Sequence, residues 1–258
     1  MSPMSPSGNR WPAMPRSRLL PALEFLLYSA LTAFALHATW LTWPDAYIDF
    51  SRELYLPWRV SCGDVLYRDL AYDFGPVSVY TNAALFALLA RPSIRALFAL
   101  NFAFWLAILL ALRALLRRIA PPLVATLSVS FFIALFSFNR YIVCGNFNYL
   151  APYSHEITRG FLFSFLALLS LDSALAPSTR EKGCGRPEKA TQTRLSLLIS
   201  SGVCYALVLF TKPELALATT AALAILFALR AWPHRTLPLR PLPPPLPPLS
   251  LAPPARIC

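Results

Sequence analysis

The chain has 258 residues, 57% of them hydrophobic and 14% charged, with a mean hydropathy of +0.53. Soluble domains carry about 25% charged residues, so the composition excludes a soluble globular domain and indicates a membrane protein. The net charge of +11 would suit nucleic acid only if it lay on one soluble face; here the charges fall between apolar runs, which argues against that partner.

Residues 1–18 are polar and carry Arg10, Arg16 and Arg18. Residues 19–43 form the first apolar run, long for a signal-peptide core, which is typically about 7–15 residues, and are read as an uncleaved first helix. A polar segment follows, WPDAYIDFSRELYLPWRVSCGDVLYRDLAYDFGPVSVY, residues 43–80, with six of the chain's twelve carboxylates. The run 79–90 is too short to span and reads as a juxtamembrane helix. Spans are expected at about 94–112, 123–138, 161–176, 195–211 and 215–229. A second polar, aromatic loop covers 139–160, and a basic loop covers 178–194. The tail, 236–258, has nine prolines. It cannot continue a helix and reads as polyproline II or disorder.

The fold class is therefore all-α, a polytopic membrane protein of about six helices with a polar external loop over 44–93 and a Pro-rich tail. Basic residues collect in cytoplasmic loops. With the N-terminus inside, fifteen of the 23 basic residues fall inside, Arg113, Arg117, Arg118, Lys182 and Arg230 among them. The outer segments then hold eight basic and eight acidic residues. Loop 44–93 is accordingly expected to be extracytoplasmic, and the membrane a bacterial-type plasma membrane.

The five cysteines show neither CxxC nor zinc spacing; Cys62 and Cys144 would share the outer side, which permits a disulfide. Asp45 and Asp49 are four apart and would share a face if helical. Arg52, Arg59 and Arg68 can hold a phosphate bidentately, or pair with neighbouring carboxylates. Lys212, in the turn Thr211-Lys212-Pro213-Glu214, is costly beside apolar runs unless it meets a ligand, Glu214 or water. The second loop carries Tyr153, His155, Glu156 and Arg159. A tyrosine face suits sugar stacking, and His155 suits either a proton carrier or a hydrogen-bonded interface residue. No nucleotide-binding glycine loop is evident, and no cofactor is expected, a divalent cation being left open.

Asp49-Phe50, then Gly63-Asp64-Val65-Leu66-Tyr67-Arg68-Asp69, then Gly75-Pro76 before an amphipathic run, resembles the first external loop of the GT-C membrane glycosyltransferases. These include the protein O-mannosyltransferases and the aminoarabinose transferase acting on lipid A. The later Thr211-Lys212-Pro213-Glu214 resembles that group's motif at the mouth of a membrane helix. The resemblance covers about residues 20–230. It implies inverting sugar transfer from a polyprenyl-phosphate donor, embedded in the membrane, to a hydroxyl of an unspecified glycan, lipid or protein. Its general base would be Asp49, fourteen residues before Gly63, with Asp45 as second choice; Phe50 stands where the group often has Glu. Arg52, Tyr67, Arg68, Asp69, Tyr153, His155, Glu156, Lys212 and Glu214 would line the substrate site. Members of the group have about twice as many spans, so a further reading is the N-terminal half of such a protein, without the sugar-acceptor half and inactive. The alternative is a non-catalytic membrane protein, such as a small transporter or lipid-handling protein.

Overall fold

The computed structural model describes residues 19–40, 42, 50–139, 148–176 and 187–231. The described elements are helices, in the order α1 (Leu19–Thr39), α2 (Phe50–Ser61), α3 (Val77–Leu89), α4 (Ile94–Ile119), α5 (Pro122–Phe132) with a π-helical continuation (Ile133–Ser137), α6 (His155–Leu175), α7 (Pro187–Leu209) and α8 (Pro213–Ala231). Five are long and apolar enough to cross a membrane: Leu20–Thr39, Ile94–Ile119, His155–Leu175, Thr191–Leu209 and Pro213–Arg230. The protein is an all-α polytopic integral membrane protein.

Several boundaries differ from the sequence expectation. α4 continues through Arg113, Arg117 and Arg118 to Ile119, because those arginines find carboxylate partners and need not leave the helix. The expected span at 123–138 is eleven α-helical residues plus five π-helical ones. At about 1.5 Å per residue this falls short of the roughly 30 Å hydrocarbon core. α6 begins at His155, not near 161, so His155, Glu156 and Arg159 lie in its first turns rather than in a loop. The juxtamembrane helix expected at 79–90 is α3, as expected, and the polar 44–93 segment holds a further helix, α2. The Pro-rich tail lies outside the described residues.

Local chemistry accounts for the ends. Ser93 is extended and its Oγ accepts from the Ala96 N–H at 3.3 Å, an N-cap for α4. Pro122 opens α5, where its missing N–H costs nothing. α3 ends at Ala90 in the left-handed region, with the Arg91 N–H on the Phe86 carbonyl at 3.2 Å.

One apolar cluster joins Phe50 of α2 to Leu97, Phe98, Trp105 and Leu109 of α4, Val129 of α5, Ile133 of the π segment, and Leu150–Ala151. A smaller one packs Leu56, Leu66, Leu70 and Val79. Large side chains such as Phe25, Phe34, Leu123, Phe131, Leu217 and Leu229 stand exposed on the outside, as lipid-facing helices require.

Two ion clusters tie one end together. Glu24 of α1 accepts from Arg113 and from Arg117 (3.2 Å) of α4 and from Thr126 Oγ1 of α5 (2.7 Å). Asp172 of α6 accepts from Arg118 of α4 (2.7 Å) and from Arg230 of α8. At the other end Asn101 of α4 meets His155 of α6. Each helix is seventeen residues farther along at the ion clusters, so α4 and α6 run parallel. The polar end built from the starts of α4 and α6 is where the candidate site lies.

Candidate functional site

α2 buries Phe50, Glu53, Leu56 and Pro57, one face of an amphipathic helix. Glu53 thus occupies a core position on an otherwise apolar face, at 2% exposure. Its Oε1 accepts from Arg52 Nη2 at 3.2 Å, and its Oε2 lies 3.7 Å from His155 Nδ1.

His155 is fully buried between two asparagines. Arg159 donates from Nη2 to Asn82 Oδ1, which turns the Asn82 amide nitrogen to His155 Nδ1 at 2.8 Å. Asn101 Nδ2 lies 3.3 Å from His155 Nε2 and donates to the Leu150 carbonyl at 2.9 Å. An amide nitrogen against each ring nitrogen disfavours the doubly protonated imidazolium, and a neutral ring can accept at only one of the two. The arrangement favours the hydrogen-bonded role for His155 over that of a proton carrier.

Glu156, also fully buried, accepts from Ser154 Oγ at 3.1 Å on one oxygen. Its other oxygen has no hydrogen-bond partner among the described residues, nor do Nε and Nη1 of Arg159, a residue only 1% exposed. Arg159 stacks over Phe104 at 4.8 Å. The Tyr72 hydroxyl is buried outside hydrogen-bond geometry, yet burial and the nearby Glu53 and Glu156 push its phenol pKa upward. Burial first, and Glu156 second, push the Glu53 carboxyl up to about 8 against the pull of Arg52 and Arg159. Glu53 is therefore mostly protonated at neutral pH.

Beside this buried cluster two cations share two rings. Lys212 Nζ lies 4.0 Å from the Phe74 centroid and 5.4 Å from that of Tyr153. The Arg52 guanidinium lies 5.6 Å and 5.9 Å from the same rings, and its Nη2 donates to the Tyr153 carbonyl at 3.3 Å. Lys212 is only 8% exposed, and no described carboxylate lies within ion-pair distance of its ammonium. Burial lowers its pKa, Arg52 adds to this, and Glu214, Glu156 and Glu53 oppose it.

A backbone strap makes this meeting. The Gly75 N–H donates to the Thr211 carbonyl at 2.8 Å, and a Cβ at Gly75 would sit 1.9 Å from the Phe210 carbonyl oxygen. Only glycine allows that approach. The Tyr67 hydroxyl donates to the Phe74 carbonyl at 2.5 Å and sets the strap from the other side. Gly160 lets α6 close on the same turn, since a Cβ there would meet Thr211 Oγ1 at 2.9 Å.

Of the residues singled out from sequence, Arg52, Tyr153, His155, Glu156 and Lys212 come together. Tyr67 supports them through Phe74. Arg68 and Asp69 pair with each other at 2.8 Å, and Asp69 also accepts from the Val65 N–H at 2.8 Å. These contacts hold the Asp69 carboxyl down to about 2, the Arg68 hydrogen bond being the larger cause. Arg59 is likewise paired with Asp64. Glu214 is exposed on the first turn of α8. Asp45, Asp49 and Cys144 lie outside the described residues.

Sequence reasoning missed Glu53, Tyr72, Phe74, Asn82 and Asn101, and named Arg159 in the second loop without giving it a role. The signal was available for three of them. Glu53 interrupts the apolar face of α2, Asn82 that of α3, and Asn101 an apolar span. A polar side chain in such a run needs a partner or a task.

Comparison with protein-family models, with curated proteins and with solved structures finds no match to this chain.

Proposed function

We propose that the protein is a membrane glycosyltransferase of GT-C type, which moves a sugar from a polyprenyl-phosphate donor to an acceptor hydroxyl on the extracytoplasmic side. The observation that supports it is the pair Arg52 and Lys212, held over Phe74 and Tyr153 at one end of an apolar bundle. A phosphate whose lipid chain stays in the membrane would meet two cations there, and Tyr153, half exposed, offers a ring face to a sugar.

In this reading Asp49 takes the proton of the acceptor hydroxyl as its oxygen attacks the anomeric carbon. The bond from that carbon to the phosphate oxygen breaks, with inversion, and the electron pair leaves with the lipid phosphate. Arg52 and Lys212 stabilise the charge that develops on the leaving phosphate. The basic ion clusters at the far end support a cytoplasmic assignment for that end and for the N-terminus, in a bacterial-type plasma membrane. The acceptor remains a glycan, lipid or protein hydroxyl by class.

The test is sugar transfer from a labelled polyprenyl-phosphate sugar by the protein in nanodiscs. Asp49→Asn is expected to lower transfer by about 10²–10⁴-fold with membrane insertion unchanged; full activity in that variant overturns the assignment of the base. A second reading, a transporter or other non-catalytic membrane protein, draws on the buried Glu53, Glu156 and Arg159. It predicts ligand binding without sugar transfer, and solute flux in sealed vesicles. The ionisable cluster sits at helix starts rather than mid-span, which favours the first reading.

A further inference from the structure

Arg52 serves two sites at once. Its Nη2 donates to Glu53 Oε1 at 3.2 Å on the buried side, and its guanidinium shares the Phe74 and Tyr153 rings with Lys212 on the other. An anion seated between Arg52 and Lys212 draws the Arg52 hydrogens toward itself. Glu53 cannot replace them with water, because it is 2% exposed. Nor do the described residues around it supply a ready substitute. Among the described residues the groups that face it are Arg52 on its own helix, Tyr72 from the α2–α3 segment, His155, Glu156 and Arg159 from α6, and Lys212 from the α7–α8 turn. Tyr72 has a single hydroxyl proton and lies between two carboxylates. His155 Nδ1 is occupied by Asn82. Arg159 gives Nη2 to Asn82 and stacks on Phe104, and its Nε and Nη1 make no hydrogen bond to Glu53. Glu156 is a second acid, which opposes a second negative charge so close by.

We propose that a phosphate anion binds between Arg52 and Lys212 together with one proton, and that Glu53 is the residue that carries this proton. The proton comes from solvent and forms an O–H bond on the Glu53 carboxylate; no other bond changes. Glu53 is thus a positioning residue: neutral, it leaves Arg52 to the phosphate; ionised, it holds Arg52 back and repels the anion. The inference rests on the lipid-phosphate reading of the Arg52–Lys212 site. Since the Glu53 carboxyl already sits at about 8 in the anion-free protein, the effect lies above that pH. Affinity should be level below about pH 8 and fall by up to about tenfold per pH unit above it.

The experiment titrates farnesyl phosphate into the full chain in phosphatidylcholine nanodiscs, by calorimetry from pH 6.5 to 9.5. Lys212→Arg is run in parallel, since an arginine stays charged throughout and removes the lysine's own titration from the profile. Wild type and Lys212→Arg should both show the fall above pH 8, and Glu53→Gln should bind at pH 9 as tightly as wild type at pH 7. As a measurement independent of that variant's folding, wild-type titrations at pH 8.5 in two buffers of different ionisation enthalpy should reveal proton uptake on binding. A pH slope that survives in Glu53→Gln, a fall confined to wild type and absent from Lys212→Arg, or no buffer dependence at pH 8.5 each overturns the inference while leaving the phosphate site standing. Absence of binding at every pH overturns both.

Discussion

Replacing Gly75 with alanine puts a methyl group where the structure leaves 1.9 Å to the Phe210 carbonyl oxygen and 2.8 Å to the Thr211 nitrogen. Both neighbours are backbone, so neither can rotate away, and the strap must open. Opening it forfeits the hydrogen bond from the Gly75 N–H to the Thr211 carbonyl, a net contribution of about 1 kcal/mol. It also moves Phe74 away from Lys212, whose desolvated contact with that ring is worth about 2 kcal/mol. A turn freed by about 1–3 kcal/mol exposes its lysine roughly five- to 150-fold more often. The readout is the rate at which an amine-reactive reagent labels Lys212, followed by mass spectrometry in nanodiscs, with Lys182 and Lys189 as internal references. The control is Gly202→Ala, since a Cβ at Gly202 meets nothing within 4 Å. Neither apolar cluster contains Gly75, so the thermal melt of the helices should move little. A Gly75→Ala protein whose Lys212 labels at the wild-type rate would refute the strap as the device that buries this lysine.

Glu24→Gln should destabilise the bundle by about 1–3 kcal/mol in denaturant unfolding, because Arg113 and Arg117 lose their shared carboxylate; their partial exposure keeps the loss below that of a fully buried pair. Unfolding midpoints within error of wild type would show that the cluster contributes nothing measurable. Glu53 should make stability fall as pH rises. Its folded-state pKa, about 8, lies above the ordinary 4.5. Between those values the folded state holds a proton that the unfolded state has released, so each step up in pH costs stability until the folded carboxyl ionises. Glu53→Gln should flatten that slope in melts from pH 5 to 8.5, and a slope unchanged by the substitution would place its origin elsewhere. Lys212→Met should weaken farnesyl phosphate binding at least tenfold while leaving the melt close to wild type; equal affinity would remove Lys212 from the anion site.

The membrane character and most of the helices are written in local composition. Runs such as 19–39 and 213–231 are predominantly apolar, and no tertiary contact is needed to make them helical in a bilayer, where every backbone group must bond within its own segment. Short-range punctuation is legible too: Pro121-Pro122 between α4 and α5, Ser93 before α4, and Arg91-Pro92 after α3. The length of α4 was not. Its last arginines look like a helix end until Glu24 and Asp172, 89 and 54 residues distant, arrive as partners.

The site divides the same way. Lys212 is conspicuous in the sequence because a charge beside apolar runs is expensive there, whereas Arg52 reads as one of three arginines in a polar segment. That they face the same two rings depends on Gly75 meeting Thr211, a contact between segments that no local pattern connects. The burial of Glu53 is decided by packing in the same manner. In α2 it reads as one more charge beside Arg52 and Arg59; only α6, placing Glu156, His155 and Arg159 against it, turns a surface carboxylate into one that keeps its proton near neutral pH. Sequence alone determined which segments enter the membrane, since hydropathy acts locally. Tertiary structure decided which polar residues lose water together, and that shared desolvation sets their chemistry.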